Sequence, residues 1–437
     1  MKVIHVPFGF PPDVVGGTEV YVGALAREQV AKGEQAVIAA PGAVSKSYAD
    51  DGLAVHRFAV SKKLEVADLY GGSDQVARRE FADIMDRERP DVVHLHAFTS
   101  AVSTDLAQDV QERGCGLVFT YHTPTVSCLR GTLLRCGREV CDGVLDVKTC
   151  TTCVLQGLGV GQRVGAVLGA MPTGLGRAIG SFGLAGGTWT AARMTDLVNR
   201  QHTSFRALMR FADRVVVLCN WAGDVLRRNG VPAEKLVLSR HGLPRRSAQS
   251  TESRCKRVED PLRIAFFGRL HPTKGVDTLV RAITGLPAAR LELDVFGIDG
   301  DSRYAASLRE IAQQDSRIRF CDAVGSDAVP RILAEYDVLA VPSRWLETGP
   351  LVVLEAFAAG VPVIGSNLGG IAELVTDGVD GLLVETDSVA AWQGALTTLE
   401  TDSPMLRQLR AGVRPPRSMS SVADDMLAVY DQVRLAA

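Results

Sequence analysis

Short apolar runs of strand length, each followed by a stretch with helical spacing, recur along this chain in two separate series. The first comprises Val3–Val6, Ala36–Ala40, Val92–Leu95, Leu117–Thr120 and Val215–Leu218. The second comprises Ile264–Phe267, Leu291–Phe296, Ile318–Phe320, Val338–Val341, Pro362–Ile364 and Gly381–Val384. Apolar runs bounded by polar or turn residues, with helices between them, predict βαβ units and parallel sheets. The opening unit is the clearest example. Strand Val3–Val6 leads through Gly16-Gly17 into a helical pattern from Thr18 to Lys32, which Gly33 ends.

Between the two series, residues 244–261 are polar, with Arg, Ser and Glu and few apolar residues, and read as a linker. A chain of 437 residues is too long for one ordinary domain. The expected architecture is therefore α/β, with two facing Rossmann-like domains at residues 1–243 and 262–415. The last segment, 420–437, places Val422, Met426, Leu427, Val429, Tyr430 and Val433 at helical spacing. No dinucleotide-type Gly-x-Gly-x-x-Gly follows the first strand, which weakens a dehydrogenase reading.

The formal net charge of −2 gives no global attraction to nucleic acid. No run of 18 or more apolar residues marks a spanning helix. Met1–Pro7 reads as a first strand rather than a leader, so a cytoplasmic protein is the default expectation.

Chemistry concentrates at Trp345–Glu355. Glu347 and Glu355 stand eight positions apart around a helix start. Pro350 suits the first helical position, where a missing N–H costs nothing. Thr348 or Gly349 is the expected cap. The amides of Leu351 and Val352 would then form an anion site at the positive end of the helix dipole. Acids beside such a site are unfavourable unless they grip neutral hydroxyls. A nucleotide sugar offers hydroxyls on both sides of a diphosphate. Upstream, Gly268-Arg269-Leu270-His271-Pro272-Thr273-Lys274-Gly275 places two cations at the carboxyl end of a strand, where open α/β sheets bind ligands. Taken alone, two solvated cations and a capped helix with surface acids would also account for these stretches.

Together they resemble retaining glycosyltransferases of family four, which have the GT-B fold and a Glu-x7-Glu motif. The resemblance covers nearly the whole chain and is strongest across Ile264–Val384. It implies that Glu347 contacts the donor sugar and Glu355 the ribose hydroxyls, with Arg269 and Lys274 on the donor phosphates. It implies base recognition by backbone near Ala323 and Val324, and a donor-sugar contact by His122. Where many relatives follow that His with Asp, this chain has Thr123. Gly16 and Gly17 match a loop at the domain cleft. The last helix is expected to return to the first domain. The implied reaction moves a sugar from a UDP- or GDP-sugar to an acceptor hydroxyl without a catalytic metal. Asp299-Gly300-Asp301 looks like a metal-binding Asp-x-Asp but falls where the family has a turn. His94-x-His96 places two imidazoles on one face of a strand end, as a cleft-lining or packed pair more readily than a metal site.

Cys128, Cys136, Cys141, Cys150 and Cys153 crowd into 26 residues. In a cytosolic chain such crowding favours metal over disulfides. Some relatives carry a similar insert, whose pattern corresponds to Cys128, Cys141, Cys150 and Cys153 around a structural zinc. An iron–sulfur cluster and merely buried thiols remain as alternatives. From Val154 to Ala212, six arginines accompany a single acid, Asp196. The apolar, sparsely cationic stretch 155–200 resembles an interfacial segment for peripheral membrane contact or a lipid-linked acceptor. A helical insertion is the plainer reading. A nucleotide-sugar epimerase or phosphorylase, and a metal-binding regulatory protein on an inactive scaffold, are the competing function classes.

Overall fold

The computed structural model describes residues 1–13, 16–182, 186–244, 260–299, 301–313, 315–325 and 328–434. Residues 245–259, which hold nearly all of the expected linker, lie outside these. The chain divides into two compact units, Met1–Ser239 with the chain from Val422 onward, and Arg240–Ser421.

The first unit is built on an eight-stranded sheet. Its strands are β1 (Lys2–Val6), β2 (Gln35–Gly42), β3 (Lys46–Asp50), β4 (Leu53–Ala59), β5 (Val92–Leu95), β6 (Gly116–Tyr121), β9 (Arg214–Val217) and β10 (Leu236–Leu238). A separate two-stranded ribbon pairs β7 (Leu134–Arg135) with β8 (Glu139–Val140). The order of the large sheet is β10-β9-β6-β5-β1-β2-β4-β3, and every pairing is parallel except β3 with β4. The β3–β4 hairpin is absent from the sequence expectation. Its alternation is masked by His56 and Arg57; Arg57 is buried and donates to the carbonyl of Phe10 and to Asp13.

Successive strand residues face opposite sides of a sheet. Ile4, Val6, Val93, Leu95, Leu117, Phe119 and Tyr121 join one apolar core. His5, His94 and Thr120 therefore face the other side. That side meets Gln29 of helix Gly17–Ala31 and Tyr430 of helix Met419–Arg434. The last helix begins in the second unit and passes into the first, where Val422, Met426, Tyr430 and Val433 are buried.

The second unit carries a six-stranded, all-parallel sheet in the order β13-β12-β11-β14-β15-β16. These strands are β11 (Leu262–Leu270), β12 (Leu291–Asp299), β13 (Ile318–Cys321), β14 (Val338–Val341), β15 (Val363–Ser366) and β16 (Gly381–Val384). Helices cover both faces, as parallel strands require. On one side Trp392, Leu396 and Leu399 pack over Ile264 and Leu293. On the other, Val353, Ala356 and Phe357 pack over Leu339 and Val363. Each apolar run of the second series forms a strand. Several run longer than expected at the carboxyl end, so Arg269 is a residue of β11 rather than of the loop after it.

Candidate donor site in the second unit

β11 ends at Leu270, and a single 3-10 turn, Pro272–Lys274, follows. Gly275 then adopts φ +66°, and a Cβ there would collide with the carbonyl oxygen of Pro342. The Lys274 loop is thereby pressed against the loop after β14. Its ammonium donates to Glu347 Oε1 at 2.6 Å, and Ser343 Oγ donates to the same oxygen at 2.6 Å. Both Lys274 and Glu347 are largely buried, with side chains 19% and 9% exposed. Burial pushes the Glu347 carboxyl up, but Lys274 and Ser343 outweigh it and hold the group below its usual range. Lys274 is thus already paired with an acid, which the sequence did not suggest. Arg269 is exposed at the strand end.

The loop after Glu347 is fixed from a second direction. Gly370 donates its N–H to the carbonyl of Glu347 at 2.7 Å, so close that a side chain at Gly370 would strike it. Gly349 adopts φ +136°. Helix Leu351–Ala358 follows, with Pro350 as its N-cap at φ −65° and ψ 124°, and no side chain caps it. Two expectations are corrected here. Pro350 lies one position before the first helical turn, and neither Thr348 nor Gly349 caps the helix. The amides of Leu351 and Val352 keep no partner within the helix, as at any helix start. Glu355 lies in this helix and is buried, its carboxyl without a hydrogen bond to a described residue. Burial raises its pKa to about 7. The two acids thus differ: Lys274 and Ser343 favour the ionised form of Glu347, while burial favours the protonated form of Glu355.

Arg344 lies in the loop after β14. Its guanidinium bridges Asp277 and Asp387, at 2.7 and 2.6 Å, and its N–H donates to the carbonyl of Thr273. It ties the Thr273 turn, the start of helix Val276–Thr284 and the turn at Asp387 to the loop after β14. Asp301, the second acid of the apparent metal motif, caps helix Ser302–Ala312 by accepting the amides of Arg303 and Tyr304. Ala323 is exposed and Val324 half-buried after β13. Val324 packs against the cluster that holds the stacked Phe267 and Phe296 rings, 4.5 Å apart.

In the first unit, Gly16 is the N-cap of helix Gly17–Ala31, and its N–H donates to Glu19 at 2.7 Å. That amide is therefore occupied by a carboxylate. His122 follows β6 directly and is buried, with Nε2 2.9 Å from His96 Nδ1.

The cysteine insert folds as the β7–β8 ribbon against helix Val147–Gly157, which carries Cys150 and Cys153 on one face. Cys128, Cys141, Cys150 and Cys153 line one small cavity, together with His202. Cys136 does not line it; its N–H donates to Cys153 Sγ at 3.1 Å. Burial, then the neighbouring thiols, push Cys150 up to about 12. Thiols raised by burial stay neutral and inert unless a metal or a cation draws off the proton. Among the described residues, however, the metal-like group whose ligand atoms lie within 4.8 Å of one another is His5, His94 and His96.

Helices Gln162–Gly169, Thr173–Ser181 and Gly187–Ala192 make up much of the insert after it. Leu158, Val164, Val167, Leu175, Phe182 and Trp189 are exposed there. No helix of the described residues is long and apolar enough to cross a membrane.

Two Rossmann-like α/β units with parallel sheets define the class as GT-B. Model matches give the family: the glycosyl transferase 4-like domain over residues 16–242, and glycosyl transferases group 1 over residues 261–402. The first match alone spans more than half of the chain, which belongs to this glycosyltransferase family. Among curated proteins, the D-inositol 3-phosphate glycosyltransferase of Stackebrandtia nassauensis is 33% identical over 216 residues, 46% of this chain and 45% of that protein. The protein of the same name from Saccharomonospora viridis is 31% identical over 239 residues, 52% and 54%. The chain thus spans about half the length of the curated relatives it matches. Among solved structures, sucrose-phosphate synthase from Thermosynechococcus elongatus aligns over 100% of both chains with TM-score 0.68 and 18% identity. The catalytic domain of starch synthase IV from Arabidopsis thaliana, bound to ADP and acarbose, aligns over 99% of both with TM-score 0.65 and 15% identity. These structures speak to the fold alone.

Proposed function

We propose that the protein is a retaining glycosyltransferase that moves a sugar from a nucleoside-diphosphate sugar to an acceptor hydroxyl. The observation that carries this reading is the Lys274–Glu347–Ser343 cluster beside an uncapped helix start, with Glu355 buried inside that helix. Glu347 holds the donor sugar and Glu355 accepts from the ribose hydroxyls. Arg269, the Lys274 ammonium and the amides of Leu351 and Val352 take up the charge that develops on the leaving diphosphate. Lys274 has three N–H donors, so pairing with Glu347 leaves it donors for a phosphate oxygen. His122 contacts the sugar, and backbone near Ala323 and Val324 meets the base. The charge work is done by protein groups, so transfer proceeds in the presence of EDTA.

Bound donor stabilises a protein by mass action, by about 2.7 kcal/mol at a hundred times the dissociation constant. A thermal-shift screen of UDP-, GDP-, ADP- and dTDP-sugars, followed by transfer assays in EDTA, tests the reading. One nucleotide family should raise the melting temperature by several degrees. No shift with any of them, or transfer that stops without manganese, would remove it.

For the insert, the reading is a structural zinc held by Cys128, Cys141, Cys150 and Cys153. Its support is the cavity these four share and Cys136 avoids. Metal analysis of the purified protein should give about one zinc per chain, lost in Cys150→Ser. Iron in its place would indicate a cluster, and neither metal would leave buried thiols. The exposed apolar side chains of residues 158–189 and the adjacent Arg163 and Arg177 support peripheral contact with an anionic membrane. In flotation with anionic liposomes the protein should rise with the vesicles. Substituting Phe182 and Trp189 by Ser should leave it in the pellet fraction, and equal flotation of both would dismiss the idea.

A further inference from the structure

Four histidines, His5, His94, His96 and His122, gather on the sheet face opposite the apolar core of the first unit. Their placement follows from register. His5 pairs with His94 across β1 and β5, and Val118 of β6 pairs with His94 on its other side. His96 lies two residues beyond His94, and His122 two residues beyond Thr120, so all the rings share one face. His5, His94 and His96 are at most 1% exposed, and His122 is 4% exposed.

They form a continuous chain of hydrogen bonds that starts at one amide. Gln29 Oε1 lies 2.8 Å from His5 Nε2, and Gln29 Nε2 lies 3.3 Å from Tyr430 Oη. His5 Nδ1 is 3.0 Å from His96 Nε2, and His96 Nδ1 is 2.9 Å from His122 Nε2. On the other branch, Tyr430 Oη is 2.6 Å from His94 Nδ1, and His94 Nε2 is 2.6 Å from Thr120 Oγ1.

A neutral imidazole has one N–H donor and one acceptor nitrogen. Burial keeps the inner three neutral: it lowers His5 to about 4, and His94 and His96 well below their usual value. The direction of one bond then fixes all the others. Gln29 Oε1 only accepts, so His5 must donate from Nε2. His5 Nδ1 then accepts from His96 Nε2–H, and His96 Nδ1 accepts from His122 Nε2–H. On the other branch, the Gln29 amide donates to Tyr430, whose hydroxyl donates to His94, and His94 donates to Thr120.

We infer that Gln29, acting through His5 and His96, is a positioning device that sets the tautomer of His122, with the proton on Nε2 and the acceptor lone pair on Nδ1. The consequence for turnover rests on the proposed contact between His122 and the donor sugar; the tautomer itself does not. A helix residue that touches no sugar thus decides whether the ring offers a donor or an acceptor from its second nitrogen. A metal bound by His5, His94 and His96 is the competing use of this cluster. It would need nitrogens that here already serve one another, Gln29, Tyr430 and Thr120. It would also bury a divalent charge among three neutral ligands, with no carboxylate in the group.

The test is ¹⁵N NMR of the full chain labelled at histidine, with donor kinetics alongside. Wild-type His122 should show a protonated Nε2 and an unprotonated Nδ1. Gln29→Leu should turn this into a mixture of tautomers, and kcat should fall about tenfold with the donor KM unchanged. Gln29→Glu should restore the wild-type pattern, because a carboxylate can only accept from His5. Should Gln29→Leu fail to fold, Tyr430→Phe serves: it removes the partner that orients the amide and should also mix the tautomers. A His122 ring protonated at Nδ1, or one indifferent to both substitutions, overturns the inference. So does one equivalent of metal that is lost in His94→Gln but kept in Cys150→Ser. If the tautomer responds and turnover does not, the positioning chain stands and the role of His122 at the sugar fails.

Discussion

Lys274→Ala should lower sugar transfer by a factor of about 10² to 10³, the usual loss when one donor to a developing negative charge is removed. It should also destabilise the fold, because the Lys274–Glu347 pair is largely buried at 2.6 Å. Removing one partner of such a pair leaves a buried charge uncompensated and costs about 3–5 kcal/mol. Chemical denaturation and donor turnover, measured on the same preparation, separate the two effects. The double variant Lys274→Met with Glu347→Gln removes both charges and should recover most of the stability. It should recover none of the activity. If activity returned with stability, the cluster would be a structural ion pair and the donor assignment would fall. If Lys274→Ala turned over normally, the assignment would fall directly.

How much of this site could be read in the sequence depends on whether local spacing or three-dimensional closure sets each feature. The helix after Pro350 and the strands themselves, though not their ends, were legible because Pro350 and the apolar runs act on their own neighbourhood. The position of the cap was not. It follows from Gly370 gripping the Glu347 carbonyl, a contact between residues far apart in the chain. The Lys274–Glu347 pair was hidden for the same reason: 73 positions separate its members. Sequence could place each beside a ligand but not against the other.

The first unit repeats the lesson. His94 and His96 were noticed through their spacing, while His5 stood as one polar residue in an apolar strand. Only the register of β1 with β5 makes it their neighbour. Gln29 and Tyr430 carry no local signal at all, since either could face solvent on an isolated amphipathic helix. The β3–β4 hairpin went unread because its alternation includes a buried arginine, whose partners Phe10 and Asp13 lie in a distant loop.

Glu355 separates binding from stability most sharply. Its pKa is raised by burial from 4.5 to about 7, so the folded protein holds a proton there that the unfolded chain releases. A group with a raised folded pKa favours the fold while protonated. Its penalty therefore grows as pH rises from about 4.5 to about 7, and is complete above that. The shift corresponds to about 3 kcal/mol. Glu355→Gln cannot ionise, so without donor it should melt several degrees higher than wild type at pH 8. At pH 4 the two should melt together. With saturating donor the gap should nearly close. An ionised carboxylate accepts hydroxyl hydrogen bonds worth about 1.5–3 kcal/mol each, and the amide accepts more weakly. Donor affinity should then drop about 100-fold in Glu355→Gln. Donor binding should also release a proton from wild type near pH 6, because ribose hydroxyls select the ionised carboxyl, and calorimetry in buffers of different ionisation enthalpy would count it. A variant that gains stability at pH 8 while keeping donor affinity would show that Glu355 is buried for packing alone. A variant with no gain at pH 8 would show that the carboxyl is ionised at no cost in the free protein.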